Sequence, residues 1–432
     1  MTPVPAPAVR PRWWHPLALL GPAFVASIAY VDPGNVAANL TSGASYGYLL
    51  VWVLVLANGM AMLIQYQSAK LGIVTGRTLP EHVGARTRPW TRRAYWLQAE
   101  AVAAATDIAE VIGGALALNL LFGLPLVVGG VIVGGVSMVL LLVQSHRRQR
   151  TFEFVIVGFL VVIAVGFLAG LFVSDVDWGG AADGLVPRFD GTATVLLAAS
   201  MLGATVMPHA IYLHSALARD RHHAEYAAFA EKTDFTSAPG RALTEGAGRL
   251  RLLLRATRTD VLIALLIAGA VNIAMLLLAA ASLRGVEGTD TIPGAYDAIR
   301  SALGPGIATI FAIGLLASGL ASTSVGAYAG SVIMKGLLTV RVPILARRAV
   351  TLVPALAVLA GGIDPTWALV LSQVFLSIGI PFALIPLIRL TGSRAVMGEY
   401  VDRLPVRILA WIVVALIVTL NVVLIVLTVT GA

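Results

Sequence analysis

The chain has 432 residues, 58% of them hydrophobic and only 12% charged, with a mean hydropathy of +0.88 and a formal net charge of +8. Ordinary soluble domains carry about a quarter charged residues, so a soluble protein of this size is excluded: its apolar surface could not be hidden from water. Cysteine is absent, which excludes disulfides and thiolate metal ligation.

A helix of about 20 apolar residues crosses the hydrocarbon core and satisfies its own backbone hydrogen bonds there. Eleven stretches qualify, at 17–44, 47–69, 94–121, 124–144, 154–173, 194–217, 261–283, 305–334, 343–362, 366–388 and 408–430. The expected fold is an all-α polytopic membrane protein, one transmembrane domain over 1–432 with no separate soluble module. Alternate loops hold 27 of the 30 basic residues, among them Arg77 to Arg93, Arg147, Arg148 and Arg150, Arg219 to Arg258, and Arg389 to Arg407. The opposite loops hold Arg188, Arg284 and Arg300. Positive-inside bias makes the N-terminal segment 1–16 and the connector 219–259 cytoplasmic, and an odd span count puts the C-terminus outside. The net charge is this bias and calls for no nucleic-acid partner. The lipid bilayer is the partner that composition requires, and no obligate protein partner is evident. The first apolar stretch is too long for a cleavable signal peptide. All eight tryptophans (Trp13, Trp14, Trp52, Trp90, Trp96, Trp178, Trp367 and Trp411) fall near expected helix ends, where interfacial aromatic belts sit.

Ionisable groups at membrane depth are costly and mark function by default. The first stretch carries Asp32-Pro33-Gly34-Asn35 near its middle, and the sixth carries Val206-Met207-Pro208-His209. Proline removes a helix donor and clashes with the preceding turn. Two interrupted helices in matching positions of two halves point to a transport site, against the blander reading of ordinary proline kinks. Asp32 offers an anionic oxygen, Asn35 a carbonyl oxygen and Met207 a thioether, and carbonyls freed by the breaks, such as those of Ala29 and Ala204, add more oxygens. A thioether favours polarisable transition metals over calcium and magnesium, although a lone methionine is more often packing. On the third helix, Glu100, Asp107 and Glu110 form one stripe at helical spacing; such a stripe suits proton relay, with few basic partners expected at that depth. His209 and His214 can join the relay. Arg347 and Arg348, at the start of the ninth helix, read equally well as positive-inside residues or as counter-charges. The acids of the 174–190 loop read as solvated charge.

Four segments carry a family resemblance: GPAFVASIAYVDPGN at 21–35, ATDIAEVIGGALALNLLFGLPL at 105–126, GATVMPHAIYLHSAL at 203–217 and LVLSQVFLSIGIPFALIPLI at 369–388. On these the sequence resembles the Nramp family of divalent metal transporters, most of all its bacterial proton-dependent manganese transporters. The resemblance implies a LeuT-like inverted repeat of helices 1–5 and 6–10, with helices 1 and 6 broken and helix 11 peripheral. It implies a multi-pass protein of the bacterial cytoplasmic (inner) membrane that imports Mn2+, Fe2+ or similar ions in symport with protons, the metal being cargo and no resident cofactor needed. Metal ligands then fall on Asp32, Asn35, Met207, the carbonyls of Ala29 and Ala204, and Gln373. The proton route runs from Asp32 and His209 through Asp107 and Glu110, with Glu100, His214, Arg347 and Arg348 nearby. Ala210, Leu320 and Ser377-Ile378-Gly379-Ile380 depart from the usual family pattern, and none of them is a ligand position.

Three other readings compete. A sodium-coupled symporter for organic solutes has no use for a sulfur ligand. A channel does not need broken helices around a buried anion. An intramembrane enzyme lacks support, since no HExxH pair, nucleotide-binding glycine loop or Ser-Lys pairing is present.

Overall fold

The computed structural model describes residues 21–145, 149–232, 239–338 and 343–430, and every regular element among them is helical. The first apolar stretch is two pieces, α1 (Pro22–Ser27) and α2 (Pro33–Tyr46), joined by a 3-10 turn at 28–31. The second stretch is α3 (Val51–Thr75), followed by a short amphipathic α4 (Leu79–Arg86). The third, fourth and fifth are α5 (Pro89–Phe122), α6 (Leu126–Ser145) and α7 (Gln149–Leu168). After the small α8 (Trp178–Asp183), the sixth stretch divides into α9 (Gly191–Thr205) and α10 (Pro208–Lys232).

The remaining chain forms α11 (Pro239–Ser282), α12 (Ile292–Leu303), α13 (Pro305–Leu338), α14 (Ile344–Ala360), α15 (Pro365–Thr391), α16 (Arg394–Met397) and α17 (Leu404–Thr430). Much of the expected connector 219–259 is therefore the continuation of α10 and the beginning of α11. Of the turn read at Ser237-Ala238-Pro239-Gly240, the first two residues lie outside the described residues, and Pro239 opens α11. Arg147 and Arg148 and the N-terminal segment 1–16 also lie outside them. The helices α4, α8, α12 and α16 are additions to the sequence reading. They are too short or too polar to register as apolar stretches.

Eight helices among the described residues have the length and hydropathy to cross a membrane. The other apolar stretches fall short for physical reasons. The first is interrupted, the apolar run of α6 covers only 126–142, and α14 has only 17 residues.

Burial separates centre from periphery. The apolar window of α5 is 83% buried and that of α9–α10 is 78% buried, whereas those of α7 and α17 are 33% buried. Side chains such as Phe154, Val161 and Val165 on α7, and Ile408 and Ile412 on α17, face outward. In water this would be a liability; around a membrane protein it is the lipid contact. Around the centre, α13 packs along α5, α11 along α2, and α10 along α3.

Candidate metal site

The two breaks arise locally. Pro33 disfavours the helical region for the residue before it, and Asp32 is extended, with φ −74° and ψ 168°. That geometry makes Asp32 the N-cap of α2, its Oδ1 accepting from the backbone N–H of Asn35 at 2.8 Å. In the second break, Val206 closes α9 with φ −100° and ψ 80°, and Pro208 is the first residue of α10.

The prolines also decide which carbonyls are left over. An α-helical carbonyl is paired with the amide four residues ahead. For Ala29 that residue is Pro33, and for Ala204 it is Pro208, so neither has its helical donor. Of the carbonyls at 28–31, Val31 accepts from Ser318 Oγ at 2.5 Å, Tyr30 from Asn272 Nδ2 at 2.7 Å and Ile28 from Ser322 Oγ at 3.5 Å. Ala29 is the one in that turn that receives no side-chain donor from these partners.

Asn35 joins the breaks. Its Nδ2 donates to Asp32 Oδ1 at 2.6 Å and to the Ala204 carbonyl at 3.0 Å, while Thr205 Oγ1 reaches its Oδ1 at 3.5 Å. Asp32, Asn35, Ala29, Ala204 and Met207 are all buried. Asp32 Oδ2 has no hydrogen-bond partner among the described residues. Gln373 on α15 comes to the same place. A methyl group built on Gly34 would lie 2.0 Å from Nε2 of Gln373 and 3.3 Å from Oδ2 of Asp32. Glycine at 34 thus allows the approach, and neither polar atom of Gln373 has a partner among the described residues. Gly113 does the same for α5: a methyl there would lie 2.2 Å from the Pro33 ring. No group of three or more His, Cys, Asp or Glu side chains converges as a metal cage among the described residues. The groups that meet at the two breaks are instead one carboxylate, the side-chain amides of Asn35 and Gln373 and the Ala204 carbonyl, with Met207 buried in the second break.

The stripe on α5 differs from its expectation. Arg347 Nη2 lies 2.8 Å from Glu100 Oε1, and Arg347 Nη1 also donates to the Ala327 carbonyl at 3.2 Å. Arg348 Nη1 lies 2.8 Å from Asp107 Oδ1, a close ion pair without well-aligned hydrogen-bond geometry, and its Nε donates to Ser137 Oγ at 3.0 Å. Both arginines are buried, Arg348 completely. The expectation of few basic partners is therefore corrected. Residues that read equally well as surface charge turn inward toward the facing helix, where Asp107 is buried and Glu100 partly buried. Glu110 stays apart, with neither carboxylate oxygen partnered among the described residues.

The histidines separate. His209, just after the second break, is buried with no hydrogen-bond partner for either ring nitrogen among the described residues. His214 instead contacts Gln65 Oε1 at 2.8 Å through Nδ1, and Gln65 Nε2 donates to the Tyr30 hydroxyl at 2.6 Å. Sequence reasoning missed Tyr30, Gln65, Asn272 and Ser318, since uncharged polar residues in membrane helices carry no signal of which neighbour they meet. It also missed Asp260, whose two carboxylate oxygens accept from the backbone N–H groups of Gly21 and Ala23 at 3.0 and 2.9 Å and so cap α1.

Fold and site together define a class: a polytopic helical membrane protein of the LeuT-like type, with its polar centre where two proline-broken helices meet. The chain belongs to the Nramp family, whose model, described as natural resistance-associated macrophage protein-like, matches residues 23–427. It is 58% identical over 425 residues to the divalent metal cation transporter MntH of Mycobacterium tuberculosis H37Rv, covering 98% of this chain and 94% of that one. Against MntH of Bacillus subtilis 168 the identity is 45% over 415 residues, covering 95% and 92%. Among solved structures it is similar to the Eremococcus coleocola manganese transporter, with a TM-score of 0.83 at 31% identity, covering 98% and 89%. A likeness to MHP1, a nucleobase-cation-symport-1 family transporter, has a TM-score of 0.54 at 14% identity over 94% and 91%, and shows the fold alone. These relatives are transporters, and so is the family; it is not a family of enzymes.

Proposed function

We propose that this chain imports divalent transition-metal ions, Mn2+ first and Fe2+ or similar ions as well, in symport with protons by alternating access. The observation that carries the reading is the meeting of the two breaks, where Asn35 links Asp32 Oδ1 to the Ala204 carbonyl while Asp32 Oδ2 and the amide of Gln373 have no partner among the described residues. A dication at this point gains an anionic oxygen, neutral oxygens from Asn35, Ala29, Ala204 and Gln373, and a sulfur that hard cations do not use. The Asn35 amide N–H2 group donates to both Asp32 Oδ1 and the Ala204 carbonyl, which brings these two oxygens to one place. To act as a ligand, Asn35 would have to present its amide oxygen Oδ1, which Thr205 Oγ1 reaches at 3.5 Å. The names of the relatives, divalent metal cation transporter and manganese transporter, agree with this chemistry.

Protons displaced at Asp32 pass to His209 and Glu110 and onward past Asp107 and Glu100, whose charge Arg348 and Arg347 balance. The orientation we propose follows the basic loops: a bacterial cytoplasmic membrane, the N-terminus and the 219–259 connector inside, eleven spans and the C-terminus outside. The metal is cargo, so no resident cofactor is needed. The test is Mn2+ uptake into proteoliposomes, with and without excess Ca2+ or Mg2+, for the wild type and Met207→Ala. The expected result is wild-type uptake that ignores the competitors and a variant that takes up Mn2+ poorly and admits Ca2+. If neither protein moves Mn2+, the metal reading fails and an organic-solute symporter replaces it.

A further inference from the structure

Away from the transport site, a cavity of about 230 Å3 opens between α4, the beginning of α5 and the end of α15. Its polar wall is Arg86, Arg389, His82, Thr87 and Tyr95, and aliphatic residues including Ile385 and Leu390 form the rest. Arg86 and Arg389 both border one small space, and no carboxylate is among the described residues that line it. The nearest acid on α4, Glu81, is engaged elsewhere: both its oxygens accept from Arg219 Nη1 at 2.9 Å. A pair of arginines with no acid between them selects an anion, and the planar guanidinium fork matches phosphate in particular.

Arg86 is oriented from behind. Its Nη1 donates to His82 Nδ1 at 2.8 Å, and His82 Nε2 lies 2.9 Å from Thr75 Oγ1. The Thr75 hydroxyl spends its own proton on the Leu71 carbonyl, so His82 must donate through Nε2 and accept through Nδ1. It is therefore neutral. Burial, with Arg86 and Arg77 alongside, pushes the His82 pKa down to about 4, so the imidazole holds the arginine without adding a charge that varies near neutral pH.

The location identifies the source of the phosphate. Arg389 stands in the last turn of α15, and Arg86 in the last turn of α4, between the spans α3 and α5. The cavity is thus at the membrane–water boundary on the face rich in basic residues. On α15, the exposed Phe375, Ile378 and Phe382 lead at helical spacing to Ile385 and Arg389. Phe382 also meets Tyr95 edge-on, with ring centroids 5.6 Å apart. An apolar track therefore runs from the hydrocarbon region to the two arginines, as an acyl chain below a headgroup requires. The volume is below the roughly 300 Å3 at which drug-sized pockets begin, which suits a phosphate with its glycerol and leaves the chains on the outer track. Basic pockets between helices on the cytoplasmic side are a recognised lipid-headgroup arrangement.

From this geometry we infer that the Arg86–Arg389 cavity binds the headgroup phosphate of an anionic phospholipid. This site is separate from the metal site and stands whether or not the transport reading does.

The test uses the full-length protein purified in mild detergent and offered phosphatidylglycerol, phosphatidylcholine or inorganic phosphate, with bound lipid counted by native mass spectrometry and melting followed in parallel. The wild type should retain phosphatidylglycerol in preference to phosphatidylcholine and melt at a higher temperature with it. R86Q/R389Q should retain at least about tenfold less, the loss expected when a charge-assisted bidentate contact is removed. R86K/R389K should recover part of the binding, since charge returns without the fork. R88Q/R93Q, which removes two exposed charges from the same region but not from the cavity, should bind as the wild type does. Equal retention by the wild type and R86Q/R389Q overturns the site, and so does an equal loss in R88Q/R93Q, which would make the effect one of general surface charge. Displacement of phosphatidylglycerol by millimolar inorganic phosphate would reassign the cavity to a free anion. Metal uptake is not the readout, so failure here leaves the transport assignment untouched, and the reverse holds too.

Discussion

Between the two broken helices, a single carboxylate, Asp32, meets the amide groups of Asn35 close to the Ala204 carbonyl, and no basic side chain among the described residues pairs with it. Along α5, two of three acids are matched by buried arginines of α14, Glu100 by Arg347 and Asp107 by Arg348. Both regions put negative charge out of reach of water, and both are central in the fold. A buried anion with neutral dipoles around it still wants a cation, and a mobile one can supply it. A buried anion with its own arginine already has its charge balanced and also ties two helices together. Glu110 belongs to the second region by position but to the first by its lack of a hydrogen-bond partner among the described residues.

The largest effect expected is at the first region. Asp32→Ala removes the one carboxylate of the site we propose, and Mn2+ uptake in proteoliposomes should fall to that of empty liposomes while the protein remains monodisperse. Undiminished uptake would sink the site. Next, Arg348→Ala leaves Asp107 buried without its counter-charge, which costs about 3–5 kcal/mol. Unfolding in detergent should show that loss, and adding Asp107→Asn to the same protein should restore much of it. A small loss that the second change does not reduce would mean that the pair is not a structural unit. Asp107→Asn alone should slow proton entry, read by a pH-sensitive dye, more than it weakens Mn2+ binding. Equal losses would merge the two regions into one.

The smallest effect is a control outside the membrane. Burial works to raise the pKa of Glu81, but the Thr78 amide and Arg219 outweigh it and hold the carboxyl below its ordinary value of 4.5. A lowered carboxyl pKa adds stability above the unfolded value, and that stability is lost as pH falls through the folded value. Glu81→Gln should therefore melt below the wild type at pH 7 by less than about 1 kcal/mol, and the difference should shrink below pH 4.5. A gap that persists in acid would assign the effect to packing instead of charge.

Much of this protein was legible from its residues because the membrane imposes a strict rule. Long apolar runs must be helices, so hydropathy located the long helices but not α4, α8, α12 and α16, and the rarity of charge at depth singled out Asp32 and the α5 acids. Proline spacing located both breaks, since a missing N–H and a clash with the preceding turn are local facts. The orphaned carbonyls of Ala29 and Ala204 follow from the same spacing, four residues before each proline. Partnership was not legible. Arg347 and Arg348 lie far from Glu100 and Asp107 in sequence, and nothing in either segment says whether a helix end turns its arginines toward headgroups or toward another helix. The same is true of Gln373 against Gly34, Gln65 between Tyr30 and His214, and Asp260 beneath α1. Local chemistry determines which groups a helix leaves unsatisfied. Only the packing of distant helices decides which of them are satisfied by protein and which are left for a cation.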